Sequence, residues 1–134
     1  MIRILVADDH SVVREGIKQI LAGLDDMTVE DEAESGQEVL LKMTAKDFDL
    51  VLLDISMPGQ SGLEVLKDIR AEKPKLPVLI LSMHSEEQYA VRALRAGASG
   101  YLTKASAPDE LIGAIRKVSR GRKYVTASLA EKLA

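Results

Sequence analysis

The sequence predicts an α/β fold in which five parallel strands form one doubly wound sheet with helices on both faces. Three observations predict it. Apolar runs of strand length alternate five times with amphipathic stretches of helix length. Four of the five runs are apolar without clean alternation, which is typical of strands covered on both faces. The helical stretches also begin and end at recognisable capping residues.

The predicted elements follow one another along the whole chain. We expect strands at 2–7, 28–33, 50–53, 78–81 and 100–103. We expect helices at 12–24, 37–45, 63–72, 86–96 and 109–119. The second strand carries more acidic residues than the others, so we place it at an edge of the sheet. This (βα)5 arrangement is flavodoxin-like, with strand order 2-1-3-4-5 and a ligand site where strands 1 and 3 separate.

Serine-containing motifs mark the expected helix starts. In a capping box, a serine accepts a hydrogen bond from the third helical N–H, and an acid or amide reaches back. Gly97 and Gly121 stand where two helices are expected to end. The capping motifs are Ser35-Gly-Gln-Glu38, Ser61-Gly-Leu-Glu64 and Ser85-Glu-Glu-Gln88, with a looser version at Ser106-Ala-Pro-Asp109.

Length and composition indicate one globular domain. The chain has 134 residues, of which 46% are hydrophobic and 29% charged, so it can bury a substantial core. It has no cysteine, which excludes disulfides and thiolate metal sites. No apolar stretch reaches the roughly 20 residues needed to span a bilayer. The first residues predict a strand rather than a signal peptide, so we expect a cytoplasmic protein without membrane contact.

Charge is distributed unevenly along the chain. The net charge of −3 combines +5 in residues 116–134 with −8 in residues 1–115. A basic tail can contact nucleic acid, but lysine and arginine are also favoured at helix C-termini. The chain has only three tyrosines and one phenylalanine for base stacking. We therefore interpret the basic segment as a solvated helix end and a linker.

Three acidic residues are expected to meet at one edge of the sheet. Asp8 and Asp9 follow the first strand, and Asp54 follows the third. If these strands are neighbours, the carboxylates converge at the ligand site, where the fourth and fifth strands add Ser82 and Lys104. Clustered carboxylates repel one another, which raises their pKa values until a hard cation binds among them. The pattern predicts a magnesium site.

Each of these residues has a more ordinary interpretation when taken alone. Asp8 and Asp9 would cap the first helix, and Lys104 would be a solvated strand end. Ser82 would be a serine on the approach to a helix, and Tyr101 a half-buried strand aromatic. Their occurrence in this order at successive strand ends favours a functional site instead.

Together, the motifs resemble the receiver domain of two-component response regulators. The resemblance extends to about residue 121, and Tyr101 matches the switch aromatic of that family. Residues 81–84 and 97–104 resemble the NarL/FixJ branch, in which a receiver precedes a LuxR-type helix-turn-helix domain. The matching motifs are Asp8-Asp9, Asp54-Ile-Ser-Met-Pro58-Gly-Gln-Ser-Gly62, Ser82 and Lys104.

The resemblance implies a separate role for each acidic residue. Asp54 would accept a phosphoryl group. Asp9 and Asp54 would bind Mg²⁺ directly, with the main-chain carbonyl of Ser56 as a third ligand and Asp8 acting through a water. Mn²⁺ is expected to substitute for Mg²⁺, because both take oxygen ligands.

The resemblance also implies a switch. Ser82 and Lys104 would bind the phosphoryl oxygens, and Tyr101 would turn from an exposed to a buried rotamer as the loop after Ser82 moves inward. Ser56 and His84 would tune the rate of dephosphorylation. The expected activity is that of a phosphorylation-controlled switch, not an enzyme, with at most self-phosphorylation from small phosphodonors and autodephosphorylation.

The implied domains and partners follow from the same resemblance. Residues 1–121 would form the receiver domain, which accepts phosphate from a sensor histidine kinase. Its readout surface at 86–119 would support homodimerisation. Residues 122–134 would be a linker, with a short helix at 128–133, toward a helix-turn-helix domain that this chain lacks. Transcription would be controlled through that DNA-binding domain.

Four other interpretations compete with this one. A phosphatase of the haloacid-dehalogenase type would also use an aspartate nucleophile and Mg²⁺, but it requires Asp-x-Asp, which Asp8-Asp9-His10 does not supply. A flavodoxin-like FMN carrier needs small hydroxyl residues in its first loop, where an acid pair would repel phosphate. A stand-alone receiver without an output domain stays open. A receiver that binds partners without phosphorylation is disfavoured, because all the chemical residues are present.

Overall fold

The computed structural model describes residues 1–57, 59, 61–83, 87–125 and 127–133. Strands and helices alternate along the chain, and a final helix follows the fifth strand–helix unit. The strands are β1 (Ile2–Ala7), β2 (Met27–Ala33), β3 (Leu50–Asp54), β4 (Val78–Ser82) and β5 (Gly100–Thr103). The helices are α1 (Ser11–Leu21), α2 (Gly36–Ala45), α3 (Gly62–Glu72), α4 (Glu87–Arg95), α5 (Pro108–Ser119) and α6 (Ala127–Leu133).

The five strands pair in parallel in the order β2-β1-β3-β4-β5. This confirms the predicted fold class, the strand order and the edge position of β2. The register pairs Ala7 with Leu53 and Ser82 with Thr103. The carboxyl ends of the four strands β1, β3, β4 and β5 therefore lie side by side at one edge of the sheet.

Alternate residues of the central strands enter two hydrophobic cores on opposite faces. Leu53 and Ile80 pack in the core that includes residues of α2, α3 and α4. Leu52 and Leu79 pack in the core that includes residues of α1 and α5. Because both faces are covered, all residues of β3 and β4 are buried, which explains the absence of polar alternation in their sequences.

β3 and β4 each extend one residue beyond their predicted ends. Asp54 pairs with Leu81, and Ser82 pairs with Thr103 in the sheet ladders. Asp54 and Ser82 are therefore the last residues of regular strands, and their main chains share the rigidity of the sheet.

Two of the predicted capping serines cap their helices. The hydroxyl oxygens of Ser35 and Ser61 accept hydrogen bonds from the N–H groups of Glu38 and Glu64, at 3.2 Å and 3.3 Å. The reciprocal half of the first box differs from expectation, since the Glu38 carboxylate accepts from Glu34 N–H at 3.3 Å. The motif that begins at Ser85 includes residues outside the described part of the chain.

The predicted cap at Ser106 is wrong. Ala107 is the N-cap of α5 and provides no side-chain hydrogen bond, while Pro108 is the first helical residue. Ser106 lies one residue too early to reach the first turn, and its hydroxyl lies 3.4 Å from the Thr103 hydroxyl instead. Proline pre-sets the backbone and needs no partner for an N–H, so α5 can start without a serine cap.

Helices α4 and α5 are followed by glycines with positive φ angles, and α1 ends in tight turns. Gly97 and Gly121 have φ angles of 111° and 84°, the left-handed conformation expected after a helix. α1 ends three residues before its predicted end, because the N–H groups of Ala22 and Leu24 bond to carbonyls three residues earlier. These tight turns close the helix before Leu24.

The predicted short helix near the C-terminus is present as α6, and it packs against α4. Leu129 is 6% exposed and belongs to the same core as the residues of α4. Just before α6, Tyr124 donates its N–H to Ser99 O at 2.9 Å and forms a parallel bridge with Gly100. The segment after residue 121 is thus attached to the edge strand β5 and to α4.

None of the helices in the described ranges is long and apolar enough to cross a membrane.

We expect Gly62→Ala to destabilise the fold, because α3 approaches the segment after β3 too closely for a side chain. A Cβ atom at Gly62 would lie 2.5 Å from Ile55 Cα and 2.7 Å from Ile55 O. Backbone atoms cannot move aside cheaply, so the expected loss in unfolding free energy is about 1–3 kcal/mol, measured by urea titration. Gly113→Ala is the control: its Cβ meets nothing within 4 Å in α5 and should add about 0.5–1 kcal/mol. Equal stability of the two variants would contradict the close contact.

Candidate functional site

The three predicted acidic residues lie together at the carboxyl edge of the sheet. Asp8 and Asp9 follow β1, Asp54 ends β3, and these strands are adjacent. Ligand atoms of the three carboxylates and of His10 all lie within 4.8 Å of one another. Asp8 and Asp54 are each 2% exposed. The expectation that the strand order would bring these residues into one cluster is met.

Lys104 brings a positive charge into the acidic cluster. Its Nζ lies 2.7 Å from Asp8 Oδ2 and 3.3 Å from Asp54 Oδ2, and its side chain is 10% exposed. The residue follows β5, and its N–H donates to Ser82 O at 2.8 Å, which continues the β4–β5 pairing. The lysine therefore connects the ends of three strands, β1, β3 and β5.

Burial and neighbouring charges shift the pKa values of Asp54 and Lys104. Burial raises the pKa of the Asp54 carboxyl above its ordinary value; the charge of Asp8 adds to the rise, while the Ser56 N–H and Lys104 oppose it. Burial works to lower the pKa of Lys104, but the hydrogen bond to Asp8 and the charge of Asp54 outweigh it, so the pKa is raised. The lysine is therefore protonated at neutral pH.

Two buried carboxylate oxygens have no hydrogen-bond partner among the described residues. They are Asp9 Oδ1 and Asp54 Oδ2. A charged or polar nitrogen lies near each of them, His10 Nδ1 at 3.2 Å and Lys104 Nζ at 3.3 Å, but neither is aligned for a hydrogen bond. Buried carboxylate oxygens without donors are costly. Oxygen ligands with an excess of negative charge suit a hard divalent cation, so the residues present fit Mg²⁺.

His10 is the most exposed of the four cluster residues, with 66% of its side chain accessible. Its main-chain N–H donates to Asp8 Oδ1 at 2.9 Å, and its ring Nδ1 lies 3.2 Å from an oxygen of Asp8 and from an oxygen of Asp9. The ring thus lies at the rim of the cluster, where it contacts the acids from the solvent side.

The other predicted site residues occupy the same edge or the adjoining core. The Ser56 N–H donates to Asp54 Oδ1 at 3.0 Å. Ser82 ends β4 with no exposed surface, and Tyr101 in β5 is 6% exposed within the core that contains α4. The ring of Tyr101 therefore occupies a buried position in this structure. His84 lies outside the described residues.

Arg14 lies beside the site although its sequence position did not predict it there. Its side chain is 10% exposed, and its Nη1 donates to the main-chain carbonyl of Asp8 at 2.7 Å. A signal for it exists in the sequence, because the buried residues of α1 are Arg14, Ile17 and Leu21, which share one helical stripe. A charged residue in the buried stripe of a helix requires internal partners, and its position beside the acid pair suggests where they lie.

Comparisons with known proteins agree with this geometry. Residues 4–116 match the response regulator receiver domain family. The chain is similar to the response regulator GacA of Pseudomonas protegens, with 41% identity over 133 residues, which is 99% of this chain and 62% of the relative. This chain therefore spans less than two thirds of that relative.

Solved structures are similar over nearly the whole chain. A LuxR-family two-component response regulator from Aurantimonas sp. SI85-9A1 has a TM-score of 0.90 and 34% identity, covering 98% of this chain and 94% of that one. The isolated receiver domain of RcsB from Salmonella enterica serovar Typhimurium, solved with phosphomimetic BeF₃⁻, has a TM-score of 0.88 and 26% identity, covering 99% of both chains. RcsB dimers bound to DNA also match, with a TM-score of 0.88 and 26% identity, covering 98% of this chain and 67% of that one.

We expect Asp54→Asn to stabilise the metal-free protein at neutral pH. Because the folded-state pKa of Asp54 is raised above 3.8, its contribution to stability falls as pH rises from 3.8 through the raised value. Removing the charge should increase the free energy of unfolding, seen as a higher Tm in EDTA at pH 7. The difference from the unmodified protein should shrink as pH falls toward 3.8.

Asp47→Asn provides the matched control. The Asp47 side chain is 82% exposed and pairs with Lys73 at the surface, so its loss should change stability by less than about 0.5 kcal/mol. If Asp54→Asn is no more stable than Asp47→Asn at pH 7, the charge of buried Asp54 does not destabilise the folded protein and the prediction is wrong.

Proposed function

The chain belongs to the receiver domains of response regulators in two-component signalling, and we propose that Asp54 is the residue that accepts the phosphoryl group. One observation carries this assignment. The Ser56 N–H occupies Asp54 Oδ1, whereas Asp54 Oδ2 is buried, accepts no hydrogen bond and lies 3.3 Å from the Lys104 ammonium. An oxygen without a donor, beside a positive charge, is suited to attack an anionic phosphoryl group.

The proposed donor is the phosphohistidine of a sensor histidine kinase. An ionised Asp54 oxygen attacks phosphorus and an O–P bond forms. The P–N bond breaks, and its electron pair leaves with the imidazole of the kinase. With acetyl phosphate the same attack breaks a P–O bond and releases acetate. The domain's own residues catalyse the transfer, and water later attacks phosphorus to release phosphate and restore the Asp54 carboxylate.

Lys104 contributes a fixed positive charge to this step. Its ion pair with Asp8 holds the ammonium in place before a phosphoryl group arrives. At an effective dielectric constant of 20, two unit charges about 4 Å apart interact by about 4 kcal/mol. An ammonium that is already positioned needs no reorganisation during the transfer, which favours stabilisation of the transition state.

The acidic cluster would hold Mg²⁺, with Mn²⁺ as a substitute. Asp9 and Asp54 would supply carboxylate oxygens, the Ser56 main-chain carbonyl a third ligand, and Asp8 a hydrogen bond to a bound water. The bound cation supplies positive charge that neutralises phosphoryl oxygens. The unpartnered buried oxygen of Asp9 supports this assignment.

Ser82 and Tyr101 would convert phosphorylation into a conformational change. Ser82 is the last residue of β4, the strand beside β3. Its hydroxyl would donate a hydrogen bond to a phosphoryl oxygen and so draw the loop after β4 toward Asp54. As that loop moves, Tyr101 would turn from an exposed to a buried rotamer; its ring, 6% exposed in the core that contains α4, occupies the buried position in this structure. Ser56 lies two residues after Asp54 and His84 two residues after Ser82, and both would tune the hydrolysis of the phosphoryl group.

The proposed output is transcription, through a DNA-binding domain that follows the receiver in the full-length protein. Its support is the likeness to response regulators longer than this chain and to RcsB, which has been solved as dimers on DNA. We place the receiver at 1–121 and the linker at 122–134, in the cytoplasm where a kinase domain would reach it. The 86–119 face is the proposed homodimer surface, and α6 covers part of it on α4.

We expect incubation with acetyl phosphate and Mg²⁺ to add one phosphoryl group, and Asp54→Asn to abolish the addition, because it removes the buried oxygen that accepts no hydrogen bond and lies beside Lys104. Intact-mass measurement detects the product. Asp47→Asn, on an exposed carboxylate, should be labelled like the unmodified protein. Labelling of Asp54→Asn at the normal level would overturn the site assignment. Asp9→Ala should still be labelled, but only at a Mg²⁺ concentration about 10-fold higher or more.

Ser82→Ala should separate phosphorylation from the conformational response. The variant keeps Asp54 and Lys104, so mass measurement should still detect labelling. It lacks the hydroxyl that would pull the β4 loop, so BeF₃⁻ should cause much smaller amide chemical-shift changes in α4 and α6 than in the unmodified protein. Ser119→Ala is the control, since its hydroxyl donates to Arg116 O at the end of α5. Full α4 and α6 responses in Ser82→Ala would remove Ser82 from the switch.

A further inference from the structure

We infer that Arg14 is a positioning residue for the metal site, acting through the main chain of Asp8. This inference rests on the proposed Mg²⁺ site and adds a residue to it. Arg14 lies in α1, one turn after the acid pair, and its side chain is directed inward although it carries a full charge. Within the described part of the chain its hydrogen bonds and ion pairs are to Asp8 O, Glu32 and Glu34 rather than to a carboxylate of the acidic cluster, so its effect is indirect.

The guanidinium of Arg14 binds three acceptors at once. Nη1 donates to Asp8 O at 2.7 Å, a buried hydrogen bond. Nε donates to Glu32 Oε1 at 2.9 Å, and Nη2 donates to Glu34 Oε1 at 3.2 Å. The planar fork of arginine presents its donors in fixed directions, which a lysine ammonium cannot reproduce. The side chain therefore links the turn after β1 to the end of β2.

The hydrogen bond to Asp8 O orients the residues that would bind the metal. A peptide unit is planar, so holding the carbonyl of Asp8 also sets the direction in which the chain continues to Asp9. The N–H of Asp8 is held separately by Ala33 O at 3.0 Å. The N–H of Asp8 is thus held by β2, and its carbonyl is held by Arg14, which itself binds Glu32 and Glu34. These contacts fix the main chain from which the Asp8 and Asp9 carboxylates extend.

The charge of Arg14 is already balanced by other acids, which separates its role from that of Lys104. Glu32 accepts from Arg14 and from Lys18, at 2.9 Å and 3.0 Å. Lys18 first and Arg14 second hold the pKa of the Glu32 carboxyl below its usual value, despite partial burial, so it is ionised at neutral pH. Orientation of the main chain, rather than neutralisation of the cluster, is what Arg14 provides.

The test measures binding of Mg²⁺ alone, by isothermal titration calorimetry, without a phosphodonor. Arg14→Lys keeps the charge and loses the fork, and its dissociation constant for Mg²⁺ should rise roughly 10-fold, the usual effect of removing a group that orients metal ligands. The Mg²⁺ concentration that gives half-maximal labelling by acetyl phosphate should rise in parallel. At saturating Mg²⁺ the labelling of Asp54 should return to within about twofold of normal.

Two further variants guard against a purely structural effect. Arg116→Lys breaks a comparable arginine fork on the surface, where Nε and Nη2 bind Asp26 at 2.9 Å and 3.3 Å, and it should leave Mg²⁺ binding unchanged. Glu32→Ala leaves Arg14 in place but removes its anchor on β2, and it should weaken Mg²⁺ binding severalfold. If Arg14→Lys does not fold, Glu32→Ala decides the question.

The outcomes distinguish this inference from the proposed function. Normal Mg²⁺ affinity in folded Arg14→Lys, or in Glu32→Ala, overturns the positioning role, even if urea unfolding finds the variants less stable. Failure of the unmodified protein to be labelled at Asp54, with Mg²⁺ affinity still dependent on Arg14, overturns the phosphoacceptor assignment and leaves the positioning role standing.

Discussion

The structure depends on holding three carboxylates and one ammonium together at the carboxyl edge of a parallel sheet. Asp8 and Asp54 are almost fully buried, where two like charges repel one another strongly. Lys104 offsets part of that repulsion and joins the ends of three strands, but two carboxylate oxygens remain without donors. The fold thus maintains an excess of negative charge at this edge, which a bound hard cation would offset.

The two hydrophobic cores hold these charged side chains close together. Both faces of the sheet are covered, so the strands are rigid up to their last residues, and side chains at their ends cannot move apart to escape repulsion. Among the described residues, the buried polar or charged ones are Asp8, Arg14, Asp54 and Ser82. All four lie at or beside the same edge. The described interior is therefore apolar except at this edge.

The same sheet connects the acidic edge to a surface that can report its state. Ser82 ends the strand next to β3, and Tyr101 lies on the following strand, packed in the core that includes α4. α6 then packs on α4, and Tyr124 bridges to β5. A seven-residue helix is too short to be stable alone in water, so α6 depends on this surface. Movement of α4 would therefore also displace α6.

Much of this architecture is determined by the sequence alone, because it follows from local patterns. Apolar runs and capping residues predicted the five strand–helix units, and the acid pair with Asp54 predicted the cluster once strands 1 and 3 were placed side by side. Only the tertiary structure decided the partners of Arg14, since Glu32 lies 18 residues away and on another strand. It also decided that Ala107, not Ser106, begins α5, and that α6 lies on α4. Periodicity reports which face of an element is buried, whereas hydrogen bonds between distant residues depend on how the packed elements orient each side chain.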